Sequence, residues 1–523
     1  MTFTQWFLFF LLIQVIHFLG TWKLYKKAGR QAWEAAIPVY NAVILMKIIN
    51  RPWWWVILLF IPIVNLIMFP VIWVETIRSF GRHSTTDTFL VILTLGFYIY
   101  YINYATDVKY IEDRSLKPRT GAGEWVSSIL FAIIAATIVH AYILQPFTIP
   151  TSSLEKTLLV GDFLFVSKFH YGARLPQTAV AFPMVHDTIP VLGTKSYLNK
   201  PQIPYTRLPG FEEIERNDIV VFNWPVDTVK QFFDRSGERY DKPVDKKSNY
   251  VKRAVGVPGD SLRIVDGELF VNNEIPKLSD RARTQFSYTG KAKGQGFDPR
   301  YLYEEYDITD GFYFNPNNNE FYFRALTERN YNRLRNHPNV ESIQRYIDTS
   351  KTASKGIFPN NGKLAWNNDN FGPIYIPKKG DQVELTAQSM PFYRQVIETY
   401  EGLEMGTPQK LSLNGTQVLI NGAPVDSYTF KQNYYWMMGD NRHNSEDSRS
   451  WGYVPENHVV GKPVFIWMSW DANANGIMNK IRWERVFTTV KGDGTPVSYL
   501  PYFLILLVII FAFNYFKKRR ENS

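Results

Sequence analysis

The sequence predicts a membrane protein with about five transmembrane helices and a mainly β extracytoplasmic domain, built of antiparallel sheets or a barrel. Three observations predict this fold class. Five long apolar stretches interrupt the chain, short β-branched runs separated by turn residues fill the region between the fourth and fifth stretches, and the composition between residues 278 and 410 shifts toward Asn, Tyr and charge. The last observation indicates an α+β subdomain inserted into the β framework.

The five apolar stretches approach the roughly 20 residues that are needed to cross the hydrocarbon core of a bilayer. They occupy residues 6–22, 53–74, 89–105, 126–144 and 499–516. The third stretch contains four tyrosines, which gives it an interfacial character. Any one of the first three stretches could therefore be a re-entrant segment rather than a full span.

The basic residues indicate how these stretches are oriented. Lys and Arg are frequent after the first stretch and before the fourth, and Lys517–Arg520 follow the fifth directly. Basic segments stay in the cytoplasm, so we expect the N-terminus outside, the C-terminus inside, and residues 145–498 on the extracytoplasmic face. Much of the net charge of +10 flanks apolar stretches, which favours a lipid bilayer as the partner and argues against nucleic acid.

The same features predict the domain boundaries, and the cysteine count limits the chemistry. The chain has no cysteine, which excludes disulfides, thiol catalysis and Cys-based zinc sites but does not fix the compartment. The expected segments are an N-terminal membrane region (1–125), a helix leading out of the membrane (126–144), a first β part (145–277), the insertion (278–410), a second β part (411–498), and a final helix with a basic tail (499–523).

Strands are predicted where β-branched runs end at turn signals. The runs at residues 218–222, 261–265 and 417–420 are of this kind, and the dipeptides Asp266–Gly267 and Asn421–Gly422 follow two of them. This pattern is typical of antiparallel sheets or a barrel.

The chemistry is indicated by three segments on the predicted outer side. They read QPFTIPTSSLEKTLLVGDFLFVSK from residue 145, RNDIVVFNWP from 216 with NYVKRAVGVPGD from 249, and YYWMMGDNRHNSEDSRSWGYVP from 434. Each segment alone is compatible with an ordinary turn or strand. The chain has no Gly-x-Ser-x-Gly, His-Glu-x-x-His or phosphate-loop motif.

Together and in this order, the segments resemble the successive conserved boxes of bacterial type I signal peptidases. The resemblance covers residues 145–168, 216–225, 249–265 and 434–465. It implies a serine endopeptidase of the bacterial inner membrane that removes signal peptides from exported preproteins after small residues, at Ala-x-Ala-like sites. It implies no metal and no cofactor.

Carried over by motif position, the resemblance implies that Ser153 is the nucleophile and Lys252 the general base. A free lysine has a pKa of about 10.4, so less than about 0.1% is neutral at pH 7. A lysine base needs a pKa near 7–8, which burial can provide. Val251 and Ala254 are apolar neighbours compatible with a dry pocket, and strand alternation directs Arg253 to the opposite face.

The resemblance also implies supporting roles for further residues. Thr151 would supply an oxyanion-hole hydroxyl beside the Ser153 amide, Ser445 would orient the lysine, and Asp447 and Arg449 would form a supporting ion pair. The residues implied to shape the substrate pockets are Phe147, Ile149, Leu154, Leu158, Tyr250 and Val251.

The first box departs from the family pattern, and the departures are compatible with different chemistry. Ser152 and Leu154 stand where Gly and Met are usual, so Ser152 is a second hydroxyl beside the expected nucleophile. Lys156 replaces a proline and creates Ser-x-x-Lys, the opening motif of penicillin-binding enzymes, although the companion Lys-Thr-Gly is missing.

The segments are also compatible with a self-cleaving Ser–Lys regulator or with an inactive membrane scaffold. Such regulators share the serine and lysine chemistry but are soluble and carry a DNA-binding module, which the five apolar stretches argue against. A scaffold would have lost the dyad, whereas Ser153, Lys252 and Ser445 are all present. A relative of the eukaryotic signal peptidases would carry histidine in place of Lys252.

Overall fold

The computed structural model describes residues 1–230, 234 and 236–521. Residues 231–233 and 235, within the predicted first β part, and the last two residues of the predicted tail lie outside the described residues. The chain divides into two compact units. The first comprises Met1–Ile143 and Arg174–Arg207, and the second comprises Leu144–Ala173 and Leu208–Ser523.

The first unit is helical. Its first helix begins with a capping box, in which the Thr2 hydroxyl accepts from the Gln5 amide and the Gln5 side chain accepts from the Thr2 amide. The helices are α1 (Phe3–Lys27), α2 (Tyr40–Ile48), α3 (Trp55–Leu58), α4 (Val64–Ser79), α5 (Thr85–Leu93), α6 (Tyr98–Ala105) and α7 (Gly121–Ile138), and α7 continues as a π-helix over Val139–Ile143.

Within the part of the chain that the structure describes, three helices are long and apolar enough to cross a membrane. They are Phe3–Lys27, Gly121–Ile143 and Leu500–Arg520, which correspond to the first, fourth and fifth predicted stretches. The pair α5 and α6 bends by 117° and is either a broken span or a re-entrant loop. The predicted count of five transmembrane helices is therefore not confirmed.

The second predicted stretch is divided between two helices. At Ile63 the backbone adopts a φ of 70°, which interrupts the helical hydrogen bonds between α3 and α4. Hydropathy over residues 53–74 is insensitive to such a break, because it counts apolar side chains and contains no information on backbone direction.

The second part of the first unit, residues 174–207, contacts the beginning of α1. The Met1 amino group and the Trp6 Nε1 atom both donate hydrogen bonds to the Gln202 carbonyl oxygen, at 3.2 and 3.0 Å. The N-terminal end of α1 and the segment around Gln202 therefore lie side by side in this unit.

The second unit is mainly β. Its strands are β1 (Leu144–Thr148), β2 (Asp162–Ser167), β3 (Ile219–Asn223), β4 (Asn249–Gly256), β5 (Ser261–Val265), β6 (Glu268–Val271), β7 (Gln285–Ala292), β8 (Phe312–Asn315), β9 (Glu320–Thr327), β10 (Val340–Arg345), β11 (Phe371–Tyr375), β12 (Gln382–Glu384), β13 (Leu411–Asn414), β14 (Gln417–Ile420), β15 (Ala423–Val425), β16 (Ser427–Thr429), β17 (Tyr434–Met438), β18 (Val454–Pro455), β19 (Val459–Ser469) and β20 (Thr488–Thr489). Its helices are α8 (Pro299–Tyr306), α9 (Glu328–Arg335), α10 (Met390–Gln395), α11 (Ser448–Trp451), α12 (Ile477–Lys480) and α13 (Leu500–Glu521).

The main sheet brings together segments that are far apart in the sequence. Its strand order is β1-β2-β19-β3-β4-β17-β18, with β20 paired to β19, and the pairs are antiparallel. The predicted mainly β domain with antiparallel sheets is confirmed. In the register of β3 and β4, Val220 lies opposite Lys252, so the lysine is in the middle of this sheet.

Two smaller groups of strands complete the unit. Strands β7 to β10 form a sheet in the order β10-β7-β9-β8, and α8 and α9 contribute to its own apolar core, whose buried members all lie between Tyr288 and Ile343. Strands β5, β6 and β11 share a different core with residues 357–400 and with β17. The first group is called the β7–β10 subdomain below.

Candidate active site

The structure brings Ser153 and Lys252 together. Ser153 is in a short 3₁₀ turn, Ser152–Leu154, that follows β1, and Lys252 projects from β4. The Lys252 Nζ atom donates a hydrogen bond to the Ser153 Oγ atom at 2.5 Å. Both residues are buried, with 3% of Lys252 and 7% of Ser153 exposed.

The surroundings of Lys252 shift its ionisation toward the neutral form. Burial lowers the pKa of Lys252 from its ordinary value of 10.5 to about 8, although the carboxylates of Asp447, Glu446 and Asp440 act in the opposite direction. Removal of water penalises the charged ammonium, and at this site that penalty is larger than the attraction of the carboxylates. A lysine with such a pKa is neutral often enough to accept a proton near neutral pH.

The neighbouring Arg253 lies on the opposite face of β4, as strand alternation predicts. Its Nε and Nη2 atoms donate to the two oxygens of the buried Asp440 carboxylate, at 2.7 and 2.6 Å. The Thr157 hydroxyl donates to the same carboxylate at 2.7 Å. Asp440 therefore connects the strand that carries the lysine to the loop that follows the serine.

The segment Gly439–Asn441 lies against the 3₁₀ turn Ser152–Leu154, which is called the serine turn below. The Asn441 amide donates to the Ser153 carbonyl oxygen at 3.1 Å, and the Asn441 Nδ2 atom donates to the Ser152 carbonyl oxygen at 3.2 Å. A Cβ atom on Gly439 would lie 2.5 Å from the Ser153 carbonyl oxygen and 2.2 Å from the Ser445 hydroxyl. Only glycine fits at this close approach.

Sequence reasoning assigns no role to Asp440 or Asn441. The available signal is the run Gly-Asp-Asn-Arg, which by itself indicates only a tight turn with an ion pair. Because its partners Ser153 and Thr157 are more than 280 residues earlier, no local pattern could identify them.

Asp447 and Arg449 form the predicted ion pair, fully buried. The Arg449 Nε and Nη2 atoms donate to the two Asp447 oxygens at 2.9 and 2.8 Å. Asp447 also accepts from the Gly439 amide at 3.1 Å, and Arg449 donates to the Arg442 carbonyl oxygen at 2.6 Å. The pair therefore holds the turn that contains Gly439.

Ser445 and Thr151 lie near the serine, and their predicted roles stay predictions. Ser445 is close to Gly439, but its buried Oγ atom has no hydrogen-bond partner among the residues that the structure describes. Thr151 is exposed and extended, with φ −132° and ψ 153°, immediately before the turn.

The predicted pocket residues fall into two neighbouring apolar clusters. One cluster includes Phe147, Ile149, Leu154, Leu158 and Val251. Tyr250 belongs to the other cluster, in which its ring stacks on Trp224 at a centroid distance of 5.3 Å. The Lys252 Nζ atom lies 5.3 Å from the centroid of the Tyr250 ring, so the cluster that contains Tyr250 borders the lysine.

Lys156 has a different environment from that of a penicillin-binding enzyme. The Ser-x-x-Lys motif needs a helix to bring its lysine beside the serine, but Lys156 has a φ of 72° and follows a single 3₁₀ turn. Its Nζ atom lies 2.8 Å from an Asp307 carboxylate oxygen and 3.7 Å from a Glu155 oxygen. This geometry argues against a penicillin-binding type of site.

A buried serine paired with a buried lysine of lowered pKa has the components of nucleophilic catalysis, a hydroxyl and an adjacent base. Comparison with known families agrees with that class. The model of the family "Signal peptidase, peptidase S26" matches residues 122–320 and 375–470, more than half of the chain. Residues 33–113 match a family of unknown function, DUF5684.

Curated relatives are named signal peptidase I. That of Buchnera aphidicola subsp. Schizaphis graminum is 26% identical over 367 residues, covering 69% of this chain and 80% of the relative. That of Haemophilus influenzae is 25% identical over 388 residues, covering 73% and 79%. That of Helicobacter pylori (strain 26695) is 26% identical over 383 residues, covering 70% and 91%.

The chain belongs to the signal peptidase family, peptidase S26. The resemblance stated from the sequence motifs is thus confirmed, and the chain is a serine endopeptidase that removes signal peptides. Its long apolar helices make it a membrane protein.

Proposed function

We propose that Ser153 is the nucleophile and Lys252 the general base with which this enzyme cleaves signal peptides from exported preproteins. The observation that carries the proposal is the 2.5 Å hydrogen bond between the two buried side chains. The lowered pKa of Lys252, about 8, supports the same assignment.

In the proposed reaction, neutral Lys252 takes the proton from the Ser153 hydroxyl as its oxygen attacks the scissile carbonyl carbon. The lysine then gives that proton to the leaving amine, and the signal peptide remains as an acyl-enzyme. A water molecule, deprotonated by the same lysine, hydrolyses the ester. The Ser153 amide and the Thr151 hydroxyl would stabilise the oxyanion, at about 10²–10³ in rate for each donor.

We also propose that the apolar clusters next to the dyad select small side chains at Ala-x-Ala-like sites. Ile149, Leu154 and Leu158 are buried, with 3%, 1% and 1% exposed. Side chains packed so closely leave little depth for a large substrate residue. The extracytoplasmic location of the site follows from the same proposal, since signal peptides are removed on the far side of the membrane.

For the topology, we propose that the N-terminus and the catalytic domain are both outside the cytoplasm. The contacts of Met1 and Trp6 with Gln202 support this orientation, because Gln202 lies in the connection between β2 and β3. The basic residues Lys517–Arg520 support a cytoplasmic C-terminus. Three crossings or five give this orientation, whereas four crossings, with only the bent pair α5 and α6 added as a span, would place the N-terminus and the catalytic domain on opposite sides of the membrane.

The test is cleavage of a preprotein by single variants. Ser153→Ala and Lys252→Ala should each abolish cleavage, and the double variant should be no worse than either one, because the two residues act as a unit. Ser152→Ala is the matched control, with the same change one residue away; it removes the hydroxyl to which Asn444 donates but not the proposed nucleophile, so it should lose far less activity than Ser153→Ala. An inactive Ser152→Ala together with an active Ser153→Ala would assign the nucleophile to the other serine.

A further inference from the structure

The β7–β10 subdomain reaches the active site through Asp310. This residue lies between α8 and β8, and its two carboxylate oxygens accept hydrogen bonds from two asparagine side chains. The Asn441 Nδ2 atom donates at 2.6 Å and the Asn444 Nδ2 atom at 3.1 Å. The asparagines belong to the segment that packs against the serine turn.

The same two amide groups also bind Ser152. Asn441 Nδ2 donates to the Ser152 carbonyl oxygen at 3.2 Å, and Asn444 Nδ2 donates to the Ser152 hydroxyl at 2.8 Å. An amide nitrogen has two protons, so each asparagine uses one for Asp310 and one for Ser152. The side chains of Asn441 and Asn444 therefore each bridge Asp310 of the subdomain and Ser152, the residue before the proposed nucleophile.

The charge of Asp310 determines how the amides are turned. An ionised carboxylate only accepts hydrogen bonds, so it selects the orientation in which each NH₂ group lies between Asp310 and Ser152. In this orientation the buried Asn441 Oδ1 atom has no hydrogen-bond partner within the described part of the chain. An unpaired buried oxygen is unfavourable, which means that another interaction, here with Asp310, maintains the orientation.

A second contact reaches the other side of the serine turn. The Lys156 Nζ atom lies 2.8 Å from an Asp307 oxygen, three residues before Asp310. Nucleophilic attack depends on orientation, and a displacement of about 1 Å can reduce the rate by about 10²-fold. Because the asparagines hold Ser152 on one side and Asp307 holds Lys156 on the other, the turn between them keeps the Ser153 hydroxyl next to Lys252.

We propose that Asp310 is a positioning residue: through Asn441 and Asn444 it holds the Ser152–Ser153 turn in the register that places Ser153 beside Lys252. The inference rests on the proposed role of Ser153. It gives the β7–β10 subdomain a part in catalysis even though the subdomain contributes no reacting group.

The test compares steady-state kinetics of Asp310 variants in the full-length enzyme. In Asp310→Ala, kcat should fall by about ten- to hundredfold, while KM changes by less than about threefold because no substrate contact is removed. The pH at which kcat/KM reaches half its maximum should not move, since the burial of Lys252 is unchanged. Asp310→Asn keeps one acceptor oxygen and should give an intermediate kcat.

Two further measurements separate positioning from stability. Glu341→Ala removes an exposed carboxylate of the same subdomain and should leave kcat and Tm unchanged. In an Asn444→Ala background, Asp310→Ala should cost clearly less than in the wild type, because one of the two contacts through which Asp310 acts is already absent. If Asp310→Ala does not fold, the same comparison is made with Asp310→Asn.

The outcomes distinguish this inference from the assignment of the dyad. A folded Asp310 variant with wild-type kcat, or a loss that simply adds to that of Asn444→Ala, would overturn the positioning role, while an inactive Ser153→Ala would still support the dyad. An active Ser153→Ala would remove the nucleophile itself, whatever the Asp310 variants do.

Discussion

The ionisation of Lys252 predicts how activity depends on pH. With a pKa of about 8, roughly a tenth of the lysine is neutral at pH 7 and roughly nine-tenths at pH 9. If the neutral lysine is the base, kcat/KM should rise about tenfold between these two pH values and then level off. An unperturbed lysine would have less than about 0.1% in the neutral form at pH 7.

Removing a carboxylate near Lys252 should move the rising limb of the kcat/KM–pH profile to lower pH. Glu446 raises the pKa of Lys252, so Glu446→Gln should lower it and increase the neutral fraction at pH 7. The gain in kcat/KM at pH 7 is limited to about tenfold, because the neutral fraction can rise only from roughly a tenth to one. Above pH 9, where the lysine is already neutral, the variant and the wild type should differ little.

The assay is cleavage of a short preprotein in detergent micelles, with kcat/KM measured from pH 5.5 to 10 under conditions in which chemistry is rate-limiting. Glu341→Gln, which neutralises an exposed carboxylate of the β7–β10 subdomain, serves as the control and should keep the wild-type profile. A wild-type profile that is flat between pH 6 and 10 would refute the neutral-lysine mechanism. A limb that moves to higher pH in Glu446→Gln would refute the electrostatic argument.

Two further predictions concern the serine turn and the topology. Gly439→Ala should lower the free energy of unfolding by about 1–3 kcal/mol and reduce cleavage, because its Cβ would lie 2.2 Å from the Ser445 hydroxyl and 2.5 Å from the Ser153 carbonyl oxygen. Thermal unfolding measures the loss of stability, with Gly121→Ala as the control, because its Cβ would meet nothing within 4 Å. An unchanged Tm and activity in Gly439→Ala would contradict the prediction. Reporter fusions placed in α8 and at the C-terminus should lie on opposite sides of the membrane, and finding both on one side would contradict the proposed orientation.

Local structure in the β domain could be predicted well from the sequence. The runs predicted at 218–222, 261–265 and 417–420 correspond to β3, β5 and β14. The turn residues Asp266 and Gly267 have φ values of 49° and 78°, as a tight hairpin requires. These features depend on neighbouring residues, so the sequence pattern contains the necessary information.

Features that depend on distant residues could not be predicted in this way. The motifs singled out Ser153 and Lys252, which the structure brings into contact, but Asp440 and Asp310 could not be singled out because their hydrogen bonds join distant segments and form only on folding. The break near Ile63 is a property of the backbone, and hydropathy does not detect it.

The contact between Thr157 and Asp440 also has a consequence for biosynthesis. These residues are 283 positions apart, and a ribosome adds about 5–20 residues per second. The segment that holds the serine turn is therefore synthesised on the order of 15–60 s after the turn itself. Once Lys252 has been synthesised, the growing chain contains both Ser153 and Lys252 but still lacks Gly439, Asp440 and Asn441. A chain that ends before Gly439 lacks the segment that holds the serine turn, so we expect it not to cleave the precursors around it.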